Sequence, residues 1–155
     1  MTTKPSKEDV MDIRTIEATP VLCRRGRLTL AQIGAEAARA YPDLYAEART
    51  RGLPVHGPAI LAAHDVPQDP NSAFDVEFCL PVAAPEGEHL PRLRCASLMY
   101  EGPLAELFTR GYQPLLQAIA EAGLRASGES REVYHVWHGP ESPANRIEIQ
   151  IGIEE

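Results

Sequence analysis

The chain has 155 residues, of which 44% are hydrophobic and 24% charged, and it carries a net charge of −7 at pH 7. These values are typical of one soluble domain with its own hydrophobic core. The negative charge repels nucleic acid phosphates and so disfavours direct DNA or RNA binding, and no apolar run is long enough to span a membrane.

The chain begins with a polar segment, residues 1–10, which lacks the apolar core of a signal peptide. We expect it to be a disordered tail, and we expect a cytoplasmic protein. The remaining residues, 11–155, are predicted to form one domain. It consists of a first half at 12–83, a linker at 84–91 and a second half at 92–154.

The first half is predicted to contain a strand, a helix and two further strands. The strands are "PVLCRRGRLTL" (20–30), "PAILAAHDV" (58–66) and "FDVEFCLPV" (74–82). Between the first two strands, apolar residues recur every three or four positions and predict one buried helix face, formed by Ile33, Ala37, Tyr41, Leu44 and Ala48. Gly52 follows the helix and fits a left-handed cap. Pro42 interrupts the helix, so we expect this helix to be the less regular of the two.

The second half repeats that order. Its strands are "LRCASLMYEG" (93–102), "REVYHVWH" (131–138) and "RIEIQIGI" (146–153). Its helix has the same apolar spacing, formed by Leu104, Phe108, Tyr112, Leu115 and Ile119, with Gly123 after it. Pro114 is also expected to kink or split this helix.

The two halves are also related in sequence. An ungapped alignment of the chain with itself places 20–82 opposite 91–153, and eleven aligned pairs are identical, including His64/His135 and Glu77/Glu148. The predicted fold class is therefore α+β. Tandem duplicated strand–helix–strand–strand units form a mainly antiparallel sheet with helices packed on one face.

The histidines and cysteines give no metal motif. Cys23, Cys79 and Cys95 lack C-x-x-C spacing, and an odd number of cysteines favours free thiols in a reducing compartment. His135 and His138 would lie on opposite faces of a strand. We therefore expect no metal and no cofactor.

Glu148 is an acidic residue within the most apolar strand. The alternation of "RIEIQIGI" places the isoleucines under the helices and Glu148 on the opposite face, and Glu77 occupies the matching position in the first half. On the neighbouring strand we expect Glu132, Tyr134 and Val136 to share the face of Glu148. A carboxylate beside aromatic rings would bind an organic cation. The alternative for either Glu is an ordinary polar residue facing water.

Three segments resemble the GyrI-like, or AraC-type effector-binding, domain family over residues 11–154. They are "YEGPLAELFTRGYQPLLQAIAEAGL", "REVYHVW" and "NRIEIQIGI". The resemblance implies a ligand cleft between the halves, lying between their two helices, with Glu148 as the acidic residue and Tyr134 next to it. The other candidate ligand-binding residues are Trp137, Tyr112, Phe108, Met99, Tyr100 and Glu77. Phe108 and Tyr112 could instead be core residues. The chain departs from the family at His135, where an aliphatic residue is usual.

Three functions are compatible with these observations. The first is a stand-alone domain that binds a small hydrophobic, perhaps cationic, ligand for sensing, sequestration or resistance. The second is a cofactor-free hydrolase of strained electrophiles, with Glu148 activating water and Tyr134 donating a proton. The third is an interaction protein that binds a DNA-binding regulator or inhibits DNA gyrase. The sequence allows a monomer or a homodimer.

Overall fold

The computed structural model describes residues 11–84 and 87–155. The predicted tail at 1–10 and linker residues 85 and 86 lie outside this part of the chain. The strands are β1 (Asp12–Ile16), β2 (Thr19–Leu28), β3 (Ile60–His64), β4 (Phe74–Pro81), β5 (His89–Leu90), β6 (Leu93–Glu101), β7 (Ala126–Val136) and β8 (Arg146–Ile153). The main helices are α1 (Leu30–Thr50) and α2 (Gln113–Glu121).

The strands form one eight-stranded sheet in the order β1-β6-β8-β7-β3-β4-β2-β5, and every pairing is antiparallel. Strands β7 and β3 form the centre and join the two halves. The α+β class and the antiparallel sheet are thus confirmed. Sequence analysis missed β1 and β5, which pair with β6 and β2; the short β5 lies within the predicted linker.

Both helices cover the same face of the sheet, which we call the helix face; its opposite is the outer face. Buried residues of β2, β3 and β4 pack with α1, and buried residues of β6 and β8 pack with α2. The predicted core sets are confirmed: Val76, Phe78, Leu80, Val82 and the isoleucines of β8 are all buried there. Tyr134 packs against both clusters and lies at their junction.

The second helical segment is the less regular one, which contradicts the sequence-based expectation. Helix α1 continues through Pro42, whereas the second segment divides into a 3₁₀ turn (Leu104–Glu106), a π segment (Phe108–Tyr112) and α2. Pro114 has no N–H and cannot continue the i→i−4 ladder, so the chain widens into π geometry before it. Pro114 then occupies the first turn of α2, where its missing donor costs little.

Both helices end in the same way. Gly52 and Gly123 have φ of 66° and 73°, and the amides of Leu53 and Leu124 donate to the carbonyls of Ala48 and Ile119. This is the Schellman arrangement, in which glycine adopts the left-handed conformation at no steric cost. The predicted glycine caps are therefore confirmed. No helix in the described part of the chain is long and apolar enough to cross a membrane.

The strand pairing shows that the two halves align correctly only when a gap is allowed. In the sheet, Cys79 pairs with both Cys23 and Ile60, and its repeat equivalent Gln150 pairs with Ser97 and Arg131. The ungapped alignment correctly matches Ile60 with Arg131, but it places Arg94 rather than Ser97 opposite Cys23. It is therefore wrong for β2 and β6, because the second half is shorter between its first strand and the end of its helix.

Candidate functional site

The central strand β7 determines which side chains meet. Glu132 pairs with Ile149 and Tyr134 with Ile147, which places both on the helix face. Val133 pairs with Glu148, and His135 lies with them on the outer face. The expectation that Glu132 and Tyr134 share the face of Glu148 is thus wrong. For Val136 it holds, because a register shift after Tyr134 pairs Val136 with Arg146, which lies on the same face of β8 as Glu148. Each face of β7 carries both polar and apolar residues, so the sequence pattern does not show which face packs against the helices.

Glu132 lies at the middle of the sheet and accepts two phenol hydrogen bonds. The hydroxyl of Tyr112, from the π segment, donates to one carboxylate oxygen at 2.5 Å. The hydroxyl of Tyr134 donates to the other oxygen at 2.5 Å. All three side chains are partly buried. We call these three residues the Glu132 cluster; it lies where the α1 and α2 cores meet.

Two further aromatic rings extend the Glu132 cluster toward solvent. Phe108 stacks on Tyr112 with ring centroids 6.5 Å apart, and Trp137 contacts Tyr134 edge-to-face at 5.5 Å. Phe108 is 57% exposed and Trp137 45% exposed. The structure thus brings together four predicted site residues, with Glu132 between them.

The electrostatics of the Glu132 cluster are unusual. Burial, together with the charge and hydrogen bonds of Glu132, raises the pKa of both Tyr112 and Tyr134 well above the ordinary phenol value, so both remain donors at neutral pH. Within residues 11–84 and 87–155, no Arg or His side chain forms an ion pair with Glu132. Phenols satisfy its lone pairs but do not neutralise its charge.

Glu148 lies on the outer face in a closed polar network. It is only 6% exposed, and its oxygens accept hydrogen bonds from Arg14 at 2.5 Å, His135 at 2.8 Å and Gln150 at 2.9 Å. Its own charge is therefore already paired with a guanidinium. Tyr134 is on the other face, so the pair proposed for hydrolysis, Glu148 and Tyr134, does not converge on one substrate.

The remaining predicted site residues divide between the faces. Met99 pairs with Glu148 on the outer face and is 43% exposed. Tyr100 is buried in the α2 core and donates to the Pro103 carbonyl. Glu77 lies on the outer face, where it contacts His64 at 2.7 Å and Arg25 at 3.3 Å.

Sequence reasoning named Glu132 but gave it no role. Two signals were present: it precedes Val-Tyr in the segment that carries the family resemblance, and its repeat equivalent, Leu61, is apolar and part of the α1 core. A polar residue at a core position of a repeat indicates a special role.

Comparisons with known proteins identify the family. The model of the GyrI-like small molecule binding domain matches residues 10–154. The chain belongs to the GyrI-like family. The resemblance stated from sequence is therefore confirmed, and the GyrI-like small-molecule-binding domain includes nearly all of the described residues. No protein with a curated description matches this sequence significantly.

Solved structures share the fold of this GyrI-like domain. The EcmrR C-terminal domain is 21% identical, with a TM-score of 0.76, and the match covers 94% of this chain and 97% of that one. In the EcmrR–DNA complex the match has a TM-score of 0.75 and 21% identity, and covers 94% of this chain but 57% of the EcmrR chain.

Two more distant structures also share the fold. A hydrolase from Listeria innocua is 13% identical with a TM-score of 0.65, covering 94% of this chain and 92% of that chain. SAV2435 bound to tetraphenylphosphonium is 9% identical with a TM-score of 0.60, covering 93% of each chain. At these identities the comparisons show the fold alone.

Proposed function

We propose that this domain binds a hydrophobic organic cation on the helix face, with Glu132 as its anionic anchor. One observation carries the proposal: Glu132 is partly buried, is hydrogen-bonded only by phenols and has no ion-pair partner in the described residues. A desolvated carboxylate without a countercharge is unfavourable. A cationic ligand would supply that charge.

The rings around Glu132 fit the rest of such a ligand. Tyr112 and Tyr134 offer faces for cation–π contact, and each such contact contributes about 0.5–2 kcal/mol. The exposed rings of Phe108 and Trp137 extend the apolar area at either end. Large apolar side chains on the surface of a domain often mark a binding site.

The neighbours support this class of ligand. Tetraphenylphosphonium, the compound bound by SAV2435, is a lipophilic cation with four aromatic rings. EcmrR joins a domain of this fold to a chain that binds DNA. We propose that the present domain senses or sequesters its ligand and that any effect on transcription requires a separate DNA-binding partner.

The test is a titration with tetraphenylphosphonium, followed by the fluorescence of Trp137, the only tryptophan, and by thermal stabilisation. We expect saturable binding that Glu132→Gln weakens at least about tenfold, which corresponds to about 1.4 kcal/mol. Glu148→Gln is the matched control, because it removes the same charge from the outer face. It should leave the affinity within about threefold of the native protein.

A second control tests the role of charge. Tetraphenylmethane has nearly the same shape but no charge. We expect it to bind the native protein much more weakly than tetraphenylphosphonium does. Its affinity for Glu132→Gln should equal its affinity for the native protein. Loss of binding in Glu148→Gln with retention in Glu132→Gln would place the anchor on the outer face and refute the proposal. Equal binding of the neutral compound would refute the anionic anchor.

A further inference from the structure

The outer face of the first half contains two cysteines that the fold brings together. Cys23 on β2 lies directly opposite Cys79 on β4, and the Glu77 side chain projects from the same face. The sulfur atoms of both cysteines and a carboxylate oxygen of Glu77 all lie within 4.8 Å of one another. We propose that these three residues bind a thiophilic divalent metal ion of the zinc class.

The distances suit a tetrahedral ion. With Zn–S bonds of roughly 2.3 Å and Zn–O bonds of roughly 2.0 Å, ligand atoms around zinc stand roughly 3.5–4 Å apart. Donors already within 4.8 Å therefore need only small rotamer adjustments. Three protein ligands leave the fourth position for water or a small exogenous ligand, as in zinc sites with an open coordination position.

Neighbouring side chains orient Glu77 for this role. His64 Nε2 lies 2.7 Å from one oxygen of Glu77, and Arg25 Nε lies 3.3 Å from the other. Partners that hold a ligating carboxylate commonly contribute tenfold or more to metal affinity. Two thiolates and a carboxylate around a divalent ion leave one net negative charge, which the Arg25 guanidinium partly offsets.

The site has a dry side and an open side. Cys79 is fully buried in a small apolar cluster with Val21, Ile60 and Val133, whereas Cys23 is partly exposed. A cavity of about 380 Å³ adjoins Glu77 and is lined by Arg25, Gly26, His64, Asp75, Val76 and Glu77. The cavity meets the proposed site at Glu77, and neither cysteine is among its lining residues.

The second half provides an internal comparison. The positions equivalent to Cys23, Glu77 and Cys79 are Ser97, Glu148 and Gln150, and the Glu–His pair is kept as Glu148 and His135. In the second half, Arg14 and Gln150 donate hydrogen bonds to the carboxylate of Glu148, so nitrogen donors satisfy its lone pairs. Sulfur replaces oxygen and nitrogen only in the first half, and thiolates select zinc-class ions over Mg²⁺ or Ca²⁺.

The experiment uses reduced, chelator-treated full-length protein titrated with Co²⁺ and Zn²⁺. We expect one equivalent of Co²⁺ to produce a thiolate-to-metal charge-transfer band, and Zn²⁺ to displace it. Cys23→Ser should abolish the band. Because Cys23 is partly exposed, its replacement by serine should not disturb folding. Cys95→Ser, at the third cysteine, should leave the band unchanged.

Two further variants separate the ligand from its supporting residue. Glu77→Gln should weaken Zn²⁺ binding while keeping a charge-transfer band, and His64→Ala should weaken it by about 10–100-fold. A native protein without the band, or a band that survives in Cys23→Ser, would overturn the proposal. Tetraphenylphosphonium binding should be unaffected by Cys23→Ser, because that site is on the helix face.

Discussion

Three carboxylates on one sheet have different partners, and these partners determine what each can do. Glu77 and Glu148 each contact a histidine and an arginine, so their charges are balanced within the protein. Among the residues that the structure describes, Glu132 accepts side-chain hydrogen bonds from the hydroxyls of Tyr112 and Tyr134 and forms no ion pair. A phenol donates a hydrogen bond without carrying charge, which is why we propose Glu132 as the anchor for an external cation.

We expect the same phenols to make the stability of the protein decrease in alkali. An unfolded tyrosine loses its proton near pH 10, whereas burial beside Glu132 raises the pKa of Tyr112 and Tyr134 in the folded state. Their contribution is fully present below about pH 10 and is lost as pH rises toward the folded pKa, by up to about 1.4 kcal/mol per pH unit for each phenol.

Urea unfolding measured between pH 8 and pH 11, roughly spanning the ordinary phenol pKa, checks this prediction. The double variant Tyr112→Phe/Tyr134→Phe should show a shallower alkaline loss of the free energy of unfolding. Tyr45→Phe, at an exposed position on α1, is the control and should retain the native slope. Identical slopes in all three proteins would contradict the assignment.

At the scale of elements, the broken helical segment of the second half brings Tyr112 to the sheet. Gly111 precedes Tyr112 in the π segment and is buried, and a Cβ there would lie 2.5 Å from Cδ1 of Ile149. The close approach of this backbone to β8 therefore requires glycine. The π geometry of Phe108–Tyr112, which precedes α2, thus also positions the Tyr112 hydroxyl that donates to Glu132.

Substitution of Gly111 tests this close packing. Gly111→Ala should lower the free energy of unfolding by about 1–3 kcal/mol, because Ile149 is fully buried and has little room to move. Gly34→Ala, at an exposed position of α1 where an added Cβ meets nothing within 4 Å, should raise the free energy of unfolding by about 0.5–1 kcal/mol. Chemical denaturation measures both, and a neutral Gly111→Ala would show that the π segment tolerates displacement.

At the scale of the whole molecule, the two halves form a single structure. The β3–β7 pairing makes the sheet continuous, and Tyr134 packs against the cores under both helices. Neither half can separate from the other without exposing apolar surface and breaking backbone hydrogen bonds. We therefore expect one cooperative unfolding transition.

Two fully buried cysteines report on the two halves. Cys79 lies in the first half and Cys95 in the second. Pulse alkylation in increasing urea, with the modified peptides quantified by mass spectrometry, should give the same midpoint for both thiols. Midpoints that differ by more than the experimental error would show that the halves unfold separately.

Local patterns were sufficient for much of this fold. Helical periodicity predicted the buried face of α1, the alternation in β8 placed the isoleucines under the helices, and glycines marked both Schellman caps. These features depend on contacts between residues near one another in the chain, so composition and spacing reveal them. The duplication also predicted that Glu77 and Glu148 share one face, because both strands have the same alternation.

Only the tertiary structure decided where the chemistry lies. The orientation of β7 depends on its pairing with β8 and β3. That pairing places Glu132 and Tyr134 on the helix face, opposite to Glu148 on the outer face. Cys23 and Cys79 are far apart in the chain, without a metal-binding spacing, and become neighbours only through the register of β2 and β4. A one-residue change of register reverses the face of every side chain on a strand, and no local pattern in an evenly mixed strand specifies that choice.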